Sequence, residues 1–94
     1  MQLTFEWDED KNVWTIQNRG ISFEEAKTIF RDPNSITIFD SLHSQIEDRF
    51  IDIGISERRR RLVVVYTERE GSIRIISCRK AEPVEQRQYE RTKR

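Results

Sequence analysis

The sequence predicts an α+β fold, and three observations predict it. An alternating apolar strand leads into two segments with helix caps. A succession of β-branched runs follows, separated by short polar turns, and a proline then opens a closing helix. Consecutive strands joined by short turns pair as an antiparallel meander of four to five strands, with the helices packed on one face. At 94 residues the chain has room for one domain, 1–94, with one modest core.

The first strand runs from Met1 to Trp7, where Leu3, Phe5 and Trp7 share one face with a period of two. Asp8 is placed to cap a helix through Lys11, Val13, Trp14 and Gln17, and Gly20 stops it. Glu9 and Asp10 occupy its first turn, where the helix dipole favours acid. Ser22-Phe23-Glu24-Glu25 reads as a capping box, in which the Ser22 hydroxyl accepts from the Glu25 amide and the Glu25 carboxylate reaches back to Ser22. Ile21 and Ala26 form the flanking staple, and Phe23, Ala26, Ile29 and Phe30 the apolar stripe of the second helix. Asp32-Pro33 ends it, because the residue before proline avoids helical angles. By spacing, Phe5, Trp7, Trp14, Phe23 and Phe30 belong to the core.

Ile36 to Phe39 makes a short strand, followed by a polar connection from Asp40 to Ser44. In the next strand Arg49, Ile51, Ile53 and Ile55 share one face, Phe50 and Asp52 the other. Glu57 and the run Arg58 to Arg61 turn into a strand centred on Val63, Val64 and Val65. A turn containing Gly71 joins it to the strand of Ile73, Ile75 and Ile76. Pro83 suits the first turn of a C-terminal helix. Val84 and Tyr89 are its only sizeable apolar groups, so little anchors it.

The net charge of zero hides an asymmetry. Residues 1–56 hold 11 acidic and 5 basic side chains, whereas residues 57–80 hold 8 basic and 3 acidic. Arg61, Arg69, Arg74, Arg79 and Lys80 lie at or between the apolar positions of the last two strands. Buried strands tolerate so many cations only where the heads emerge on a common open surface, and such a guanidinium cluster suits phosphate. That points to nucleic acid. The acidic half suits a basic protein partner.

Several classes are set aside. Cys78 is the only cysteine, so no intramolecular disulfide forms; a buried thiol in a reducing, cytoplasmic compartment is expected. No apolar run has the length of a membrane span, and no membrane role is expected. There is no Gly-rich phosphate loop, no metal-ligand spacing and no nucleophile elbow, so neither metal nor cofactor is expected. Metal-free RNA cleavage stays open. It needs removal of the 2′-hydroxyl proton, cations on the phosphorane and protonation of the 5′ oxygen. Arginine supplies the second, and His43, Tyr66, Glu68 or Lys11 is available for the others; His43 is the only histidine, the residue type whose ordinary pKa lies near neutral. Tyr66 and Arg79 lie on adjacent strands whose register can bring them together.

Two stretches carry a family resemblance. Phe5-Glu6-Trp7-Asp8 with Lys11, then Gly20-Ile21-Ser22-Phe23-Glu24-Glu25-Ala26 and Asp32-Pro33, resembles the opening of the BrnT toxin family. Arg49 to Gly54, Leu62 to Arg69, and Ile73 to Ser77 with Arg79, Ala81, Glu85 and Tyr89 resembles the remainder. The resemblance implies a RelE-like fold with two N-terminal helices and one C-terminal helix. It also implies a type II toxin that cuts RNA and inhibits translation, with a BrnA-like ribbon-helix-helix antitoxin as its partner. Operator DNA would be met only through that antitoxin, in a heterotetramer. The expected catalytic set is Arg79, Arg69, His43, Lys11 and Tyr66, and the expected RNA contacts are Arg49, Arg74, Arg19 and Arg61. One stretch departs from the family, since Arg19 stands before Gly20 where histidine is common. Guanidinium does not release its proton, so a proton-transfer role cannot pass to Arg19, although phosphate binding can. That leaves an alternative: a catalytically degenerate homologue that binds antitoxin or RNA.

Overall fold

The computed structural model describes residues 3–93; Met1 and Gln2, which the alternation includes in the first strand, and Arg94 lie outside the described residues. The elements are β1 (Thr4–Trp7), α1 (Glu9–Arg19), α2 (Phe23–Ala26) with a 3-10 continuation over Lys27–Arg31, β2 (Ile36–Phe39), β3 (Arg49–Ile55), β4 (Arg61–Arg69), β5 (Ser72–Lys80) and α3 (Pro83–Thr92). No helix among the described residues is long and apolar enough to cross a membrane.

The sheet order is β1-β5-β4-β3-β2. β2 to β5 form the expected antiparallel meander, while β1 joins the edge parallel to β5, so the sheet is mixed. The alternation in β1 reports burial but not partner, and its partner Ser72 lies 68 residues from Thr4. The β4–β5 hairpin closes through Glu70 (φ 48°) and Gly71 (φ 84°). Both central residues are left-handed, the two-residue turn that matches strand twist.

The local signals at the helix ends hold, with one exception. Asp8 Oδ1 accepts from the Asp10 amide at 2.9 Å, and Gly20 adopts φ 69° with its N–H on the Ile16 carbonyl. Ser22 Oγ accepts from the Glu25 amide at 3.0 Å. The Glu25 carboxylate does not return to Ser22. It is buried and accepts from Ser56 Oγ at 2.7 Å and from Arg60 Nε at 2.9 Å, because a carboxylate taken out of water needs a counter-charge. Arg60 thereby joins α2 to the β3–β4 turn, which Arg59 closes at φ 67°.

The helices divide between the two faces of the sheet, where one covered face was expected. Ile21, Phe23, Ala26 and Ile29 pack on Leu62, Val64, Tyr66, Ile73, Ile75 and Cys78. Phe5, Phe30, Tyr66 and Phe50 continue this core as a chain of rings with centroids 5.0–5.7 Å apart. On the opposite face Tyr89 and Ala81 pack on Ile53 and Val63. Trp14 is not core: it is 51% exposed, with Val13 and Ile16 also outward. α1 turns a polar side inward because Asn12 Oδ1 accepts the otherwise unpaired Phe23 amide of α2 at 2.8 Å.

Candidate nucleic-acid interface

The site is a set of cross-strand rows on the face opposite α2. Register pairs Arg49 with Thr67, Thr67 with Arg74 and Arg74 with Glu6. The row beyond it, towards the hairpin, holds Arg69, Ser72 and Thr4. In the other direction come Ile38, Ile51, Val65 and Ser77, then Ile36, Ile53, Val63 and Arg79. Alternation along each strand puts all of these on one side. A bulge makes this possible. Val65 pairs with Ser77 and Tyr66 with Ile75, so Ile76 is an extra residue in β5. Without that shift Arg74 and Arg79, five positions apart, would face opposite ways.

α3 roofs one end of this face and leaves a groove of about 280 Å³ beside it. Ile51, Ile53, Val63 and Val65 line its floor, with Ser77, Arg79 and Arg19 on one side and Glu85 and Gln88 of α3 on the other. Arg79 donates from both terminal nitrogens to the two oxygens of Glu85, each at 2.7 Å. That bond raises the Arg79 pKa and holds Glu85 below the usual carboxylate range. Arg19 enters where β1 has ended: β1 pairs only as far as Ile75, so the Cys78 carbonyl on the open edge accepts from Arg19 at 2.9 Å. The Arg19 guanidinium also lies 5.2 Å from the Trp14 ring centroid.

The other arginines have acidic neighbours too. Arg69 donates to Glu47 at 2.7 and 3.1 Å, Arg74 donates to Glu6 at 2.8 Å, and Arg61 pairs with Glu90 of α3. The bond to Glu47 raises the Arg69 pKa. Arg49 shares a hollow of about 270 Å³ with His43 and Glu47. His43 is exposed there, its Nδ1 2.9 Å from Asp40 Oδ2.

Thus Arg49, Arg61, Arg69, Arg74 and Arg79 share one face, Arg19 reaches the groove, and His43 stands near Arg49. Two candidates are elsewhere. Tyr66 lies on the α2 side, pairs with Ile75 rather than Arg79, and gives its hydroxyl to buried Asp52 at 2.9 Å. Burial foremost, with Asp52 beside it, pushes the Tyr66 phenol far upward, so it is a core donor and not a partner of Arg79. Lys11 is exposed near the start of α1, about 12 Å along the helix from Arg19, and does not line the groove. Cys78 is buried as expected, and burial pushes its thiol up to about 11. Glu85, Ser77 and Gln88 were missed as site residues. In sequence Glu85 stood only among the residues of the family resemblance, while Ser77 was detectable from its two-residue spacing to Arg79.

An arginine-bearing half-sheet thus lies beside a groove that holds an arginine–carboxylate pair, in a small α+β module. The chain belongs to the family described as ribonuclease toxin, BrnT, of type II toxin–antitoxin systems, whose model matches residues 7–85. Its fold is similar to the crystal structure of the Brucella abortus ribonuclease toxin, BrnT, with a TM-score of 0.65. The two are 19% identical, and the match covers 86% of this chain and 99% of that one, a likeness of fold. No curated protein matches the sequence. A type II toxin family implies a protein antitoxin as partner.

Proposed function

We propose that this chain is a metal-independent endoribonuclease toxin that cleaves RNA by 2′-hydroxyl attack and so arrests translation. The observation that carries the reading is Arg79 in the groove, continued along one face by Arg74, Arg69 and Arg49. Attack by the neighbouring hydroxyl is intramolecular, so the protein need only orient the strand, accept a proton and stabilise the phosphorane. Arg79 supplies charge at the reacting phosphate. Arg74, Arg69 and Arg49 hold flanking phosphates, and half-buried Ile38, Ile51 and Val65 offer an apolar bed for a base.

The existing ion pairs do not oppose this. Arg69, Arg74 and Arg79 are 48%, 31% and 41% exposed at the side chain. The Arg69–Glu47 and Arg74–Glu6 pairs are open to solvent and weak, so a phosphate displaces them readily, while Arg79 keeps its two bonds to Glu85 and offers its remaining N–H donors. A BrnA-like ribbon-helix-helix antitoxin that covers the same cationic face would neutralise the toxin in a cytoplasmic heterotetramer.

Incubation of the purified chain, freed of antitoxin, with long RNA in excess EDTA tests the reading. Cleavage by the parent and its loss in Arg79→Ala is the expected result. Intact RNA with folded parent protein removes the nuclease reading. One observation favours the non-catalytic alternative: Arg19, held on the Cys78 carbonyl and stacked on Trp14, brings no proton acceptor to the groove. On that reading Arg19→His restores or sharply raises cleavage.

A further inference from the structure

We infer that Glu85 is the proton acceptor of the groove: its carboxylate takes the 2′-hydroxyl proton while Arg79, which holds it, binds the adjacent phosphate. This rests on the nuclease reading above. Glu85 sits at the third position of α3, and the Glu82 amide donates to its Oε1 at 2.7 Å. Its side chain is 19% exposed and it lines the groove, so the carboxylate is fixed without being sealed off.

Arg79 couples the two roles. Its guanidinium has five N–H donors, and the pair with Glu85 and the bond to the Lys80 carbonyl leave others free. A phosphodiester bound by those free donors stands beside Glu85, bridged to it by one rigid planar group. The 2′-hydroxyl adjoining that phosphate is then the nearest proton for the carboxylate. As the proton passes to Glu85, the 2′ oxygen bonds to phosphorus and the P–O5′ bond breaks. The 5′ oxygen leaves with the electron pair and takes a proton from water, giving a 2′,3′-cyclic phosphate and a 5′-hydroxyl end.

The charged groups near Glu85 are Arg79 on β5, Arg19 of α1 in the same groove, and Glu82 on its own helix; β3 and β4 contribute only apolar floor there. Cation therefore outweighs acid around it, and the carboxylate stays ionised into mildly acidic solution. A purely structural Glu85, capping α3 and holding Arg79, needs no such titration.

The test is single-turnover cleavage of a long mixed-sequence RNA in excess EDTA across a pH series, for the parent, Glu85→Gln and Glu85→Asp. Fluorescence anisotropy for RNA binding and a melting curve accompany each variant. Glutamine keeps an acceptor for Arg79 and the Glu82 amide but takes no proton. We expect Glu85→Gln to lose about 10²–10⁴-fold in rate, with RNA binding within a few-fold of the parent. Glu85→Asp recovers part of the loss, and the parent rate falls only below the ordinary carboxylate range. Parent-like cleavage by folded Glu85→Gln overturns the role of Glu85 and leaves the nuclease reading standing. No cleavage by the parent overturns both. Should Glu85→Gln fail to fold, a parent rate with no acid limb overturns the inference by itself.

Discussion

Tyr89 donates its hydroxyl proton to Asp32 Oδ2 at 2.7 Å, tying α3 to the end of the second helix across 57 residues. The same oxygen accepts from the Ile55 amide at 2.8 Å, and Oδ1 accepts from the Asn34 amide at 2.9 Å. One carboxylate thus joins α3, β3 and the loop before β2. Tyr89 lies one turn beyond Glu85, so this bond also sets how α3 overhangs the groove. Burial foremost, with Asp32 beside it, pushes the Tyr89 phenol up to about 12, and it stays a donor at any working pH.

Tyr89→Phe keeps the packing and removes the bond. A hydrogen bond to a charged group is worth about 1.5–3 kcal/mol, so the variant should melt well below the parent. Each kcal/mol corresponds to about 4–8 °C in a chain of this size. A calorimetric scan checks it, and an unchanged midpoint would mean that the Tyr89–Asp32 bond adds nothing to the hold on α3.

Acid should unfold the protein through groups whose pKa is depressed. The Arg60 bond holds Glu25 low, and at Asp32 burial opposes ionisation but the three donors outweigh it. Their stabilisation is fully present above the unfolded-state values, about 4.3 and 3.9, and disappears as pH falls through the lower folded values. The melting midpoint should therefore hold from neutral pH to about 5 and then drop. Glu25→Gln should flatten that drop and cost about 3 kcal/mol at neutral pH, since Arg60 is left without its counter-charge.

Gly54 marks a close approach on the α2 side. A Cβ there would stand 3.1 Å from Ile29 Cβ and 3.2 Å from Ser35 Cβ. Gly54→Ala should cost roughly 1–3 kcal/mol by overpacking. A urea titration measures this, and a parent-like midpoint would show that the 3-10 segment can shift to make room.

The acidic neighbours of the outer arginines should act as brakes on RNA binding. Glu6→Gln and Glu47→Gln free Arg74 and Arg69, with little effect on stability because solvent screens pairs this exposed. RNA affinity should rise, and the salt slope should steepen by about 0.7 for each further phosphate neutralised. Anisotropy titrations at several salt concentrations read both quantities. An unaltered slope would take this row out of the RNA path.

Much of the fold is legible locally. Asp8, Ser22, Gly20 and Pro83 bound their helices because a cap needs only atoms within a few residues of the chain. The two-residue period of Arg49, Ile51, Ile53 and Ile55 placed them on one face for the same reason. Trp14 misled because apolar spacing identifies a stripe but not what the stripe meets. The inner side of α1 is claimed by Asn12 and its bond to Phe23, which spacing does not reveal. The candidate site was half legible: the arginines were visible as a surplus, Glu85 only as one residue of the family resemblance.

By itself the sequence determined the elements, their order, and the presence of an arginine-rich sheet, since these follow from periodicity, capping and charge along the chain. Tertiary structure alone decided that β1 pairs parallel with β5, that α3 takes the other face, and that Tyr66 turns away from Arg79. It also decided, through the bulge at Ile76, that Arg74 and Arg79 point the same way. The physical reason is that side-chain direction in a strand reverses at every residue. A single extra residue changes the face of everything beyond it, and where that residue is accommodated depends on pairing with a neighbouring strand.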